Sequence, residues 1–213
     1  MGKAYAQSTE TDFPGEVSLH LRINISSTLQ LYLISFISNC NRSQQEVKTK
    51  FRIRYLHEVP QHFDAVASWI YHQWWEKPGN TIEVVKAPLR EHLQPKSFPV
   101  TLVALDGEKP VGSVLLIEDD GVEALPELKP WLAALYVLPE YRGQGVGKLL
   151  VQALEQHAQR TGFTDLYLVA TDRVSFYYEL GWRVRTKLVG KTGVTIMQKM
   201  IAAATPPKHS EQA

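Results

Sequence analysis

Hydrophobic and polar positions follow two regimes along the chain. Up to about residue 50, Ser, Thr, Asn and Gln dominate, and a single apolar patch at residues 29–37 interrupts them. From Phe51 onward the apolar positions become periodic. Phe51, Ile53 and Tyr55 alternate with Arg52 and Arg54, the period-two signature of a half-buried strand. After Pro60, the residues Phe63, Val66, Ala67, Ile70, Tyr71 and Trp74 recur at helical spacing. They predict an amphipathic helix over 62–75, with Tyr71 and Trp74 in the core and Lys77, Pro78, Gly79 and Asn80 as its stop. A second helix is expected over 82–92 despite Pro88. The runs 100–105 and 111–117 flank Asp106, Gly107, Glu108, Lys109 and Pro110, which predicts a hairpin. A strand follows over 131–137. Val146, Leu149, Leu150, Ala153, Leu154 and Ala158 then form a helical stripe ending near Thr161 and Gly162. The remainder predicts a strand at 166–169, a short helix at 174–180 closed by Gly181, and an antiparallel pair at 182–189 and 194–200 turning near 191–193.

Composition sharpens this outline by exclusion. With 213 residues, 44% hydrophobic and 21% charged, the chain is long enough for a substantial core and has a globular composition. Lys and Arg (23) nearly balance Asp and Glu (22), so no global field points to nucleic acid or to an anionic membrane, and neither is expected as a partner. The patch at 29–37 is shorter than the roughly 20 residues of a bilayer crossing, and its Ser- and Thr-containing flanks do not resemble those of a signal peptide. Residues 1–50 are therefore expected to be a poorly ordered extension, with a docked strand or short helix as the alternative. The domain is expected over 51–201, followed by a frayed polar tail at 202–213. The single cysteine, Cys40, excludes an internal disulfide and a cysteine-based zinc site and fits a cytoplasmic location. Histidines such as His62, His72 and His157 show no paired ligand spacing, so no metal is expected.

The chemistry concentrates at residues 135–150, LYVLPEYRGQGVGKLL, where an apolar strand passes through a turn into a glycine-lined helix mouth. Glycines admit an anion close to the backbone, and the first amides of a helix lack partners and carry the positive end of its dipole. A phosphate-bearing ligand follows. A P-loop would need glycine at Arg142 and a hydroxyl at Leu149, and a dinucleotide fingerprint would need a further glycine at Lys148 or Leu150, so both fail. The pattern present is Arg142, Gly145 and Gly147 after a strand. It resembles that of the GNAT superfamily of acetyl-CoA-dependent N-acetyltransferases. A second stretch, Phe176, Tyr177, Tyr178, Glu179, Leu180, Gly181 and Trp182, looks like the family's later helix-to-strand signature.

The resemblance, covering about residues 51–201, implies an α/β (α+β) GNAT fold: a mixed, mostly antiparallel sheet of six to seven strands flanked by about four helices. It also implies acetyl-CoA as co-substrate, an amine acceptor, and Tyr136 and Val137 facing the pantetheine arm. Arg142, Gly143, Gln144, Gly145, Val146, Gly147 and Lys148 would wrap the pyrophosphate, and Tyr177 would be the general acid. Some relatives carry a glutamate base near the start of the central strand, where this chain has Trp131. The acidic run Glu118, Asp119, Asp120 and Glu123 supplies the nearest carboxylates, with Asp120 the candidate base and Glu118 and Asp119 candidates for attracting a cationic amine. Trp75, off the stripe of the first helix, and Trp131 are candidates for the acceptor wall. The expected activity is acetyl transfer to a small amine or a peptide amino terminus by direct attack in a ternary complex. A non-catalytic acetyl-CoA sensor and an enzyme for longer acyl chains are the alternatives, and monomer or homodimer stays open.

Overall fold

The computed structural model describes residues 50–187 and 194–201. The expectations for the N-terminal extension, the turn at 191–193 and the tail fall outside these residues. The elements in chain order are β1 (Phe51–Tyr55), α1 (Phe63–Ile70), α2 (Glu83–Leu89), β2 (Val100–Asp106), β3 (Lys109–Ile117), β4 (Trp131–Val137), α3 (Val146–Arg160), β5 (Asp165–Ala170), α4 (Val174–Glu179), β6 (Arg183–Lys187) and β7 (Thr195–Met200). They build one seven-stranded sheet in the order β1-β2-β3-β4-β5-β7-β6. Neighbouring strands are antiparallel except β4 and β5, which run parallel. This is the mixed, mostly antiparallel sheet with about four helices that the family resemblance implied.

Each face of the sheet is covered because the strands alternate. One face buries Leu102, Val114, Leu132, Leu166, Leu168 and Met197 against Val146, Leu150, Val151, Leu154 and Ala158 of α3. The other buries Val103, Leu105, Leu115 and Ala133 against Val66, Ala67 and Ile70 of α1 and Val85 and Leu89 of α2. At about 1.5–3 kcal/mol for each fully buried aliphatic side chain, these two layers supply most of the drive to fold. The outer end of α3 is fixed by His157, whose Nε2 donates to Ser97 O at 2.7 Å while Nδ1 accepts from Tyr55 Oη at 3.0 Å. Burial lowers the pKa of this imidazole, consistent with a neutral ring that donates on one side and accepts on the other.

The central strand departs from regularity in two ways. First, Ser113 of β3 pairs with Tyr136 and Leu115 pairs with Ala133, so Val114 faces both Ala134 and Leu135. That is a bulge, and Ala134 takes φ +48 to accommodate it. The extra residue resets the alternation: Ala133 and Ala134 both meet the α1 face, while Leu135 and Val137 turn to the α3 face. Second, β4 and β5 pair at one register position, Trp131 with Tyr167, and then part. Beyond that point, among the described residues, the β5 side of β4 has no strand beside it.

Two predicted helices are shorter than expected. The first is α-helical only to Ile70 and then widens into a π turn, Tyr71–Trp75, with Glu76 N bonded to Tyr71 O at 2.8 Å. The wider turn breaks the 3.6-residue period, so Trp74, expected in the core, is 43% exposed. The second ends at Leu89, just after Pro88, and continues as a 3₁₀ turn through Leu93.

Close approach of β3 to β4 depends on Gly112, where a Cβ would lie 2.6 Å from Tyr136 O and 3.3 Å from Leu150 Cδ1. Gly112→Ala is expected to lower unfolding free energy by about 1–3 kcal/mol, because backbone must shift to admit the methyl group. Urea denaturation checks this, and an unchanged midpoint would contradict it.

Candidate active site

The glycine turn stands at the open end of the gap beside β4. After a 3₁₀ turn at Pro139–Tyr141, Gly143 and Gly145 adopt φ +75 and +83, and Gly145 is the left-handed N-cap of α3. No side chain caps this helix, so its first amides face outward without a side-chain partner. A Cβ at Gly143 or Gly145 would meet nothing within 4 Å. The side of the turn that glycine keeps clear is open space, as close approach of an anion requires. Arg142 Nε donates to Val137 O at 3.0 Å and Gln144 Nε2 to Glu140 O at 2.9 Å, so both side chains brace the loop that carries the glycines. Val146 is buried and contributes backbone only, whereas Lys148 is exposed.

The two sequence motifs meet in space. Phe176 of α4 lies against Gly147 in the first turn of α3, its Cζ 3.5 Å from where a glycine Cβ would be, and Val137 Cγ2 lies 3.8 Å from the same point. The next residue, Tyr177, packs edge-on against Phe176 and Trp182, with centroids at 5.0 and 6.2 Å. Burial, reinforced by the fields of Asp172 and Asp120, pushes its phenol up to about 12. Tyr177 thus stays protonated across the neutral range. Tyr136, opposite Ser113 at the parted end of β4, stacks on Trp69 at 5.5 Å and 23°, with the Arg142 guanidinium 6.0 Å from its ring.

The acidic run is sorted by its surroundings. Glu118 is exposed and paired with Lys129 at 3.0 Å, and Asp119 accepts from Gly121 N at 2.8 Å, so both are engaged within their own loop. Asp120 is half-buried, and burial plus the charge of Asp119 raises its carboxyl to about 7. Its charge acts on Tyr177, so a carboxyl and a phenol with pKa values pushed well above their ordinary ranges share one neighbourhood.

The two tryptophans expected at the acceptor wall part company. Trp75 is 45% exposed on the π turn, whose backbone is held by Asn80 Nδ2 donating to Trp75 O at 2.9 Å. Trp131 is a core residue, 1% exposed and packed with Leu128, Ile196 and Tyr167. It lies where β4 and β5 still pair, and that burial leaves no ring face for an acceptor.

The acetyltransferase (GNAT) family model matches residues 64–182, more than half of the chain. The chain belongs to the GNAT family. The chain is 37% identical over 84 residues to a curated relative, the uncharacterized N-acetyltransferase YjcF of Bacillus subtilis strain 168. That stretch is 39% of this chain and spans about half, 55%, of the relative. Among solved structures, the chain resembles a GNAT-family acetyltransferase from Streptococcus pneumoniae at 19% identity and TM-score 0.54, over 71% of this chain and 99% of that one. It also resembles an aminoglycoside 6'-N-acetyltransferase complexed with coenzyme A, at 20% identity and TM-score 0.56 over 72% and 99%. At such identities the shared property is the GNAT fold.

Two features of this GNAT site escaped the sequence reading. Trp69 falls outside the stripe read for the first helix, although its spacing of three from Val66 was a usable signal. Ser113 Oγ is buried without a hydrogen-bond partner, and nothing local in the sequence marks it.

Burial of Asp120 also has a stability consequence. A carboxyl whose folded pKa is raised favours the folded state most below its unfolded pKa, near 3.8, and that advantage is lost as pH rises through about 7. Asp120→Asn is therefore expected to raise the melting temperature relative to the parent at pH 8 and to change it little at pH 4. An equal shift at both values would contradict the burial of the charge.

Proposed function

We propose that the protein is an N-acetyltransferase that moves the acetyl group of acetyl-CoA to a primary amine, either on a small molecule or at a peptide amino terminus. Attack is direct, within a ternary complex, and no metal is needed. The observation that carries this reading is the strand gap beside β4, with the uncapped glycine turn at its mouth and a protonated Tyr177 nearby. The amides of the turn suit the pyrophosphate, and the unpaired backbone of β4 suits the amide-bearing pantetheine arm. The single cysteine accords with a cytoplasmic enzyme.

In the reaction the neutral amine attacks the thioester carbonyl carbon, forming a C–N bond and moving the carbonyl electrons onto oxygen. A backbone amide of β4 near Val137, where the strand has bulged and parted from β5, would serve that oxyanion. Asp120, ionised above about pH 7, takes the proton released by the amine, directly or through water. When the C–S bond breaks, the electron pair leaves on sulfur and Tyr177 supplies the proton. A phenol near 12 is a weaker acid than a thiol near 8.5, so hydrogen bonding to the developing sulfur charge comes first and full transfer last.

Thiol release from acetyl-CoA with an aminoglycoside, a polyamine and a short peptide bearing a free amino terminus tests the activity. Release with at least one amine is expected, and tight acetyl-CoA binding with no release for any would favour the sensor. Tyr177→Phe should lower kcat by about 10²-fold or more while leaving acetyl-CoA affinity unchanged, since the ring stays and the proton donor goes. A parental rate across pH would remove the general-acid assignment. Gly145→Val places a branched side chain at φ +83 on the open side of the turn. It should weaken acetyl-CoA binding at least tenfold by calorimetry, and unchanged affinity would remove the pyrophosphate assignment.

A further inference from the structure

Glu155 carries a buried carboxylate in the C-terminal half of α3, far along the helix from the glycine turn. Both of its oxygens are used. Oε1 accepts from Trp182 Nε1 at 2.8 Å, and Oε2 accepts from Lys199 Nζ of β7 at 2.6 Å. The same ammonium donates to Leu180 O at 2.7 Å, in the turn that closes α4. Trp182, fully buried, in turn donates its backbone N–H to Tyr177 O at 3.0 Å and meets the Tyr177 ring edge-on at 6.2 Å.

A charged pair costs desolvation wherever it is buried, and an apolar replacement is often no less stable, so bulk stability is a weak reason for it. What this pair supplies is direction. Indole N–H and ammonium converge on one carboxylate, which fixes the rotation of Trp182 about its long axis and the height of the Leu180 turn above α3. Those two coordinates define the seat of Tyr177. Phe176 and the α3-side core pack around Tyr177 as apolar surfaces, which resist displacement but set no direction, and Asp172 and Asp120 act on its phenol through their charge.

We propose that Glu155, through Trp182 and Lys199, is a positioning residue that aims the Tyr177 phenol at the leaving sulfur. This rests on the reading of Tyr177 as general acid. Glu155 touches neither substrate nor reacting atoms, and its effect passes through the α4-to-β6 turn.

The test uses the full chain, acetyl-CoA, and the fastest of the three amines named above, with water alone as a second acceptor. Two variants probe the same link: Glu155→Gln weakens the ionic hold on Lys199, and Trp182→Phe keeps a ring but removes the Nε1 donor. Each is expected to lower kcat about tenfold with the KM for acetyl-CoA unchanged, as misplacement of a reacting group does. In a Tyr177→Phe background each is expected to lower kcat no further. Equal losses in both backgrounds would overturn the proposal, as would a loss confined to KM or melting temperature. If Tyr177→Phe alone keeps the parental rate, the general-acid reading fails first and is seen to fail separately. Absence of thiol release from the parent with every acceptor would remove both.

Discussion

Backbone amides and carbonyls on the β5 side of β4 meet no strand beyond Trp131 among the described residues, and much of the site's geometry follows from that parting. A buried peptide group without a partner is costly, and at Val137 the carbonyl is served by the Arg142 side chain, whose Nε donates to it at 3.0 Å. The bulge at Ala134 and Leu135 fits the same departure from regular pairing. It aims Leu135 and Val137 into the α3 core and Tyr136 toward Trp69, and so helps divide the end of β4 between the two faces of the sheet.

Around this gap the site is assembled from parts distant in sequence. The turn supplies donors because Gly143 and Gly145 take left-handed angles and no side chain caps α3. Phe176 rests on Gly147, so the helix that carries Tyr177 is seated on the first turn of α3. Asp120 arrives from the loop between β3 and β4, where Glu118 and Asp119 have already found partners and its own carboxyl has not been neutralised by a cation.

Most of the fold was legible because strands and helices here are regular over several residues and alternate or recur cleanly. The glycine turn and the Tyr177 stretch were legible for a different reason: both use residue types that few other structures demand at that spacing. Irregularity was what the sequence concealed. Trp74 left the core because a π turn altered the helical phase, a property of five consecutive residues rather than of any one of them. Trp131 looked available by position, but its burial depends on Leu128 from the loop just before it and on Ile196 of β7, far along the chain. The link from Glu155 to Trp182 and Lys199 was equally invisible, since a residue of α3, one of the α4-to-β6 turn and one of β7 meet only after the sheet has formed.

The sheet has a mechanical consequence as well. Strands β1 to β4 form one leaf and β5, β7 and β6 another, and one residue pair is all that stitches the leaves by strand register. What spans them is α3, whose Leu150 and Leu154 lie in a core shared by Leu102 and Val114 of one leaf and Leu166 and Met197 of the other. The helix acts as a spine. The angle between the leaves is accordingly fixed by side-chain volume rather than by hydrogen-bond length. Width of the gap thus becomes a property of the core, adjustable by a methylene beneath the sheet without altering any residue that lines the opening.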